Sequence, residues 1–339
     1  MPLSLGHELR ATGLAGPHDP VEEVHRIDGP ITITGCLRIG DRLAWIEHDR
    51  DQRLAASGVE RALAAIRTVA GNEAWALVPV VSEQGTAVFY DLVGERVLVD
   101  LLLPGNALHG EARPALIGVF ERLGDVLGQL HQRRARGHTL RALLRRHPRI
   151  EELARLLDRG RTGPQPTLAL ERLQEAVLCD APVLAGTLLD RCEMWERCPS
   201  SSILHGTFCP GYVAVADGPL DPRRLQLLGW YDSAFGPPAF DAGWLLGELR
   251  ELAEARVGDD PAGCEVLREC GRRFLGAYLD SPPPMGAAAL VAECEQFAAM
   301  KIVSHLVAFV RGYGFDADVV AAQLALAGRV LAGGWEPPP

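Results

Sequence analysis

"ILHGTFCPGYVAV", Ile203–Val215, decides how this chain is read. Apolar, strand-compatible residues lead into His205-Gly206, a turn signal stands at Pro210-Gly211, and apolar residues resume at Val213. The order predicts a strand, a short loop and a second strand. A further strand is expected at 225–231, followed by "GPPAFDAGW", where turn residues give way to a helical pattern.

Working outward, helices surround this strand pair. In "RPALIGVFERLGDVLGQLHQRRA" (113–135), Leu116, Phe120, Leu123, Leu127 and Leu130 recur at spacings of four and three, one buried stripe of an amphipathic helix. Similar patterns predict helices over 139–158, interrupted near Pro148, over 169–178 and 183–197, and after the strands over 241–256, 262–279, 287–311 and 316–332. The N-terminal part differs. Residues 31–47 read as a hairpin turning at Gly40-Asp41, 57–70 as a helix opened by Ser57, and 75–81 and 86–93 as strands, with "PGN" (104–106) as a hinge. The chain is therefore α+β, with a small β-rich lobe over 1–103 and a larger, mostly helical lobe over 104–339.

A length of 339 residues, 47% of them hydrophobic, suffices for two sizeable cores. With 34 basic and 44 acidic residues the net charge is −10, which gives no electrostatic reason to expect nucleic acid or an anionic membrane as partner. Eight cysteines are scattered without the paired spacing of a zinc site, so no metal is expected of them. The N-terminus lacks the basic start and apolar core of a secretory signal, and no apolar run approaches the roughly 20 residues of a membrane span. The expectation is a soluble, cytoplasmic protein with reduced thiols. Every basic residue but Lys301 is Arg, and only two Asn occur, a bias that GC-rich coding would produce.

"LGDVLGQLH" (123–131), "ILHGTFCPGYVAV" (203–215) and "LLGWYDSAFGPPAFDAGWLLGEL" (227–249) together resemble the aminoglycoside phosphotransferase and choline kinase-like family, through most of residues 30–335. The resemblance implies a two-lobed protein-kinase-like fold. In that family the matching stretches carry a loop H-G-D-x-x-x-x-N and a strand ending I-D-W. Phosphoryl transfer needs a carboxylate to orient the attacking hydroxyl, oxygens to hold magnesium, and a cation on the phosphates. Here Thr207 stands at the position of the base, Tyr212 at that of the magnesium-binding amide and Gly229 at that of the magnesium-binding Asp. The strand that would supply the lysine, "RLAWIEHD" (42–49), has none. All four positions depart together, so binding of ATP and magnesium is expected to be weak or absent.

His205 and Asp241 match residues that support the loop in that family, and Glu60 matches the helix glutamate that pairs the missing lysine. The first reading is a catalytically silent kinase fold that holds a peptide or small molecule for a partner biosynthetic enzyme; by analogy, such a partner belongs to a bacterial, lanthipeptide-like natural-product pathway. A second reading relocates the chemistry, with Asp232 reaching a metal and Arg38, Arg42 or Arg53 replacing the lysine. A third is a different enzyme, such as a cyclase, using Cys209 or Tyr212. Candidate binding residues are Cys209 in the loop turn, with His205 as the one sequence-local cation that could lower its pKa, and the aromatic group Trp230, Tyr231, Phe235 and Phe240, which either fills space or grips an organic ligand. Arg141, Arg145, Arg146 and Arg149 form either an anion site or a solvated helix face.

Overall fold

The computed structural model describes residues 5–28, 32–49, 75–77, 79–81, 86–106, 108, 110–132, 147–158, 160, 166–197, 202–256, 259–280 and 286–333. The expected helix over 57–70, with Glu60, and Arg53, Arg141, Arg145 and Arg146 lie outside these. The chain forms two compact units, one of residues 1–101 and 210–231, the other of 102–209 and 232–339.

In the first unit, α1 (Leu5–Ala11) precedes a five-stranded antiparallel sheet of β1 (Val21–Asp28), β2 (Thr32–Ile39), β3 (Arg42–Asp49), β4 (Val80–Val81) and β5 (Thr86–Tyr90), in the order β1-β2-β3-β5-β4. The expected hairpin is β2–β3, turning at Gly40, whose φ of 62° favours glycine. Alternation along β3 sends Ala44 and Ile46 to one face, where they pack with Leu37 and Val88 against Leu5 and Leu9 of α1. Gly35 makes this contact close: a Cβ there would stand 2.4 Å from Leu5 Cδ1. Beside it, β6 (Arg96–Val97), β8 (Val213–Val215) and β9 (Leu225–Leu227) form a three-stranded sheet in the order β6-β8-β9. The strand expected over 225–231 stops at Leu227, because Gly229 takes φ 74° and a 3-10 turn follows at Trp230–Asp232. The first boundary between the units, after Leu101, falls within the short α2 (Leu98–Leu102).

The second unit is helical: α3 (Ala112–Gln132), α4 (Pro148–Leu157), α5 (Leu168–Asp180), α6 (Pro182–Arg197), α7 (Ala239–Glu254), α8 (Pro261–Asp280), α9 (Ala287–Tyr313) and α10 (Ala317–Leu331). A two-stranded antiparallel sheet of β7 (Ser202–Leu204) and β10 (Ala234–Gly236) is set among them. The stripe foreseen on α3 is buried at all five positions. α3 packs on α8 and α7 on α9, each through glycine: Cβ atoms at Gly124, Gly243 and Gly247 would meet Phe274 O, Cys294 O and Ala298 O at 2.3, 2.5 and 2.7 Å. The buried Arg256 donates to the carbonyls of Leu102, Leu103 and Asn106 and pairs with Asp260, tying down the stretch read as a hinge. Among the described residues no helix is long and apolar enough to cross a membrane.

Candidate functional site

The loop after β7 is held by its own backbone. At Gly206 the chain takes φ 91°, and a Cβ would stand 2.1 Å from the carbonyl oxygen of Asp232, so only glycine fits. Asp241, in the first turn of α7 and fully buried, accepts from the amides of His205 at 2.7 Å and Gly206 at 2.9 Å. His131, the last-turn histidine of α3, donates Nε2–H to the same carboxylate at 3.1 Å, and its Nδ1 lies 2.7 Å from the Tyr278 hydroxyl. Burial pushes the Asp241 carboxyl up; the bond and charge of His131, the nearby His205 and the Gly206 amide outweigh it and hold the group below its ordinary value.

Three more side chains complete the clamp. Ser233 Oγ donates to His205 O at 3.2 Å, His205 Nδ1 accepts from the Thr207 amide at 3.3 Å, and His147 Nε2–H donates to Gly206 O at 2.9 Å. Every backbone polar group from the His205 amide to the Thr207 amide thus has a side-chain partner, which satisfies the demand that buried peptide groups be paired. His147 was not singled out in the sequence. It precedes Pro148 at the start of α4, and its ring packs against Phe240 at 4.8 Å and Trp195 at 5.7 Å. Burial lowers its pKa against the opposing pull of Asp232, so the ring is neutral at pH 7. The His-Pro step opening an amphipathic helix was its signal in the sequence.

Thr207 is buried, Phe208 packs on His205, and Cys209 is partly exposed. Asp232 does not face open space. It is buried, and its Oδ2 lies 3.9 Å from Arg149 Nε, the described member of the arginine group.

In the first unit, the Tyr212 carbonyl accepts from the Leu228 amide at 2.8 Å, which brings its ring over Gly229: a Cβ at 229 would stand 2.6 Å from Tyr212 Cδ1. Trp230 is wholly buried, donates Nε1–H to Leu227 O at 3.0 Å and stacks on Trp75 at 6.2 Å, so it is a core side chain rather than a ligand grip. The face of β3 away from α1 carries Trp45 and the buried Glu47, which accepts from Trp45 Nε1 at 2.8 Å. Arg38 pairs with Glu22 and Glu95, and Arg42 with Asp91. These residues do not fit magnesium-bound ATP. The positions that the resemblance assigns to metal oxygens hold a phenol ring and a glycine, β3 brings a carboxylate, and Arg38 and Arg42 are already engaged.

The model of a phosphotransferase enzyme family matches residues 38–284. The chain belongs to that family. Solved structures extend the likeness to the whole chain. A spectinomycin phosphotransferase in complex with ADP and spectinomycin shares 9% identity at a TM-score of 0.55, covering 97% of this chain and 99% of its own. An ethanolamine kinase of Plasmodium vivax shares 14% at 0.58, covering 96% and 86%. An amicoumacin kinase in complex with AMP-PNP and Ca2+ shares 13% at 0.59, covering 99% and 96%. At such identities the likeness is one of fold: a two-lobed kinase-like architecture with an antiparallel sheet in the small lobe and a mostly helical large lobe. No curated protein matches the sequence.

Proposed function

We propose that this phosphotransferase-family chain binds a peptide or small molecule as an accessory to a biosynthetic enzyme and does not transfer phosphate. The observation that carries this reading is the Tyr212 ring set over Gly229, where a metal-binding carboxylate would need room. Thr207 has no ionised form near pH 7, and the strand that would supply a lysine brings the buried carboxyl group of Glu47 instead. Relocation to Asp232 is disfavoured by its burial against Arg149. The clamped loop serves as architecture, since a fold carries no activity by itself.

Complementation in the source organism tests it. A strain lacking the gene should regain its phenotype with Thr207→Ala, which removes a hydroxyl and no charge. Charge reversal at Arg145 and Arg146 together should impair it if that arginine group is the binding surface, because Arg is enriched in binding hot spots. Loss of function with a folded Thr207→Ala protein overturns the proposal.

A further inference from the structure

The second unit carries a groove of about 850 Å³, bounded by the end of α5, the start of α6 and one face of α10. Its width comes from small residues: Ala321, Ala325 and Gly328 line the α10 wall, and a Cβ at Gly328 would meet no heavy atom within 4 Å. Val183, on the opposite wall, is 78% exposed. The edges carry opposed charges. Asp180 lines the groove, and the Arg172 guanidinium lies 4.3 Å from the centroid of the Phe315 ring, which also lines it. Neither a cation nor an anion is selected. Polar partners are few as well, since Thr187 spends its hydroxyl hydrogen on Val183 O at 3.0 Å. Such walls favour an occupant with apolar bulk and few N–H groups to pair.

The chain itself supplies such a segment at the groove's end. Leu331 and Ala332, where α10 stops, line the groove, and the next residue, Gly333, takes φ 75° and donates its amide to Val330 O at 3.1 Å. A left-handed glycine after the last helical turn directs the following chain off the helix axis. Residues 334–339 follow, with the sequence Gly-Trp-Glu-Pro-Pro-Pro. Trp335 stands two positions past Gly333, and the three prolines have no N–H to leave unpaired in an apolar setting. Reach is sufficient. Six residues extend up to about 20 Å, and the α10 wall from Ala332 back to Ala321 is about 17 Å long.

We propose that the groove is filled by the chain's own residues 334–339, with the Trp335 indole in the space beside Gly328 and the prolines against Ala325 and Ala321. The proposal does not rest on the reading of the loop after β7, and its test involves no phosphate. Trp335 is its own probe. The other five tryptophans, Trp45, Trp75, Trp195, Trp230 and Trp244, are each at most 7% exposed, so iodide quenching of the full chain reads residue 335. The emission lost in Trp335→Phe should be blue-shifted from that of tryptophan in water, and iodide should quench the unaltered chain no more than this variant at every protein concentration. Gly328→Leu, which puts a side chain into the groove, should leave circular dichroism unchanged and open Trp335 to iodide. The chain cut after Gly333 should bind N-phenyl-1-naphthylamine, an apolar fluorophore, at a concentration at least about tenfold below that needed by the full chain, because a tethered occupant competes at high effective concentration. Water-like, iodide-accessible emission from Trp335 in the full chain would overturn the proposal, as would protection that survives in folded Gly328→Leu or fluorophore binding that truncation leaves unchanged. Protection that arises only as the chain dimerises would overturn it too, by assigning the groove to a second copy.

Discussion

The ring of Tyr212 occupies the volume that any side chain on residue 229 would need, 2.6 Å from where its Cβ would stand. The two positions are therefore coupled, and residue 229 cannot take a metal-binding side chain while the Tyr212 ring stays in place. Gly229→Asp adds both this collision and a left-handed φ of 74°, so it should destabilise the chain by about 2–4 kcal/mol. Combined with Tyr212→Ala the cost should fall below the sum of the two single changes. Denaturant unfolding of the four proteins of this cycle measures the coupling, and strict additivity would show that the ring yields freely.

Asp241 should act as a pH-dependent fastener of the loop. Its folded pKa lies below the ordinary value of 3.8, so its stabilisation is complete above that pH and is lost as pH falls through the lowered folded value. Asp241→Asn, which loses the charge and an acceptor for two buried amides and His131, should cost about 3 kcal/mol at pH 7. The gap between the two proteins should hold from pH 7 to about 5 and narrow below about 4. A gap independent of pH down to pH 2 would mean that the charge contributes nothing.

Several parts of this arrangement were legible in the sequence, and the reasons differ. The stripe on α3 and the helices after residue 239 declare themselves through spacing, because a buried helical face must repeat every three or four residues. Asp241 and His205 stood out by motif, and both hold loop backbone. His147 did not, because its partner Gly206 lies 59 residues away, and the His-Pro step that opens α4 marks a helix start rather than the pairing. The short α1 and β1 were missed as well; α1 has too few turns for a periodicity to show. The end of β9 at Leu227 depends on the φ of Gly229, and the packing of Tyr212 on that glycine is a tertiary fact that spacing cannot express. Lys301 was conspicuous as the single lysine, yet its setting between two acids on α7 emerged only from the packing of α9.

That lysine offers a test at a single side chain. Lys301 is buried with its amine on Glu248 and Glu251, the latter at 2.6 Å. Burial disfavours its charge, but the two carboxylates outweigh this and raise its pKa above the ordinary range. Acylation of the folded protein at pH 8 should modify the α-amine and leave Lys301 untouched, and the same treatment after unfolding should add a group on the peptide that holds Lys301, read by peptide mass. Lys301→Met, which strands two partly buried carboxylates, should cost about 3–5 kcal/mol at pH 7. Ready acylation of Lys301 in the folded chain would contradict this setting.

The most direct test of the central claim is a calorimetric titration of the full chain with ATP, with and without magnesium, followed by assay of the same samples for released or transferred γ-phosphate. The arrangement of Thr207, Tyr212, Gly229 and Glu47 predicts no magnesium-dependent binding up to about 1 mM ATP, the upper end of ordinary enzyme–substrate affinities, and no transfer. Sub-millimolar binding that strengthens with magnesium, or any transfer of phosphate that Thr207→Ala abolishes, would contradict it.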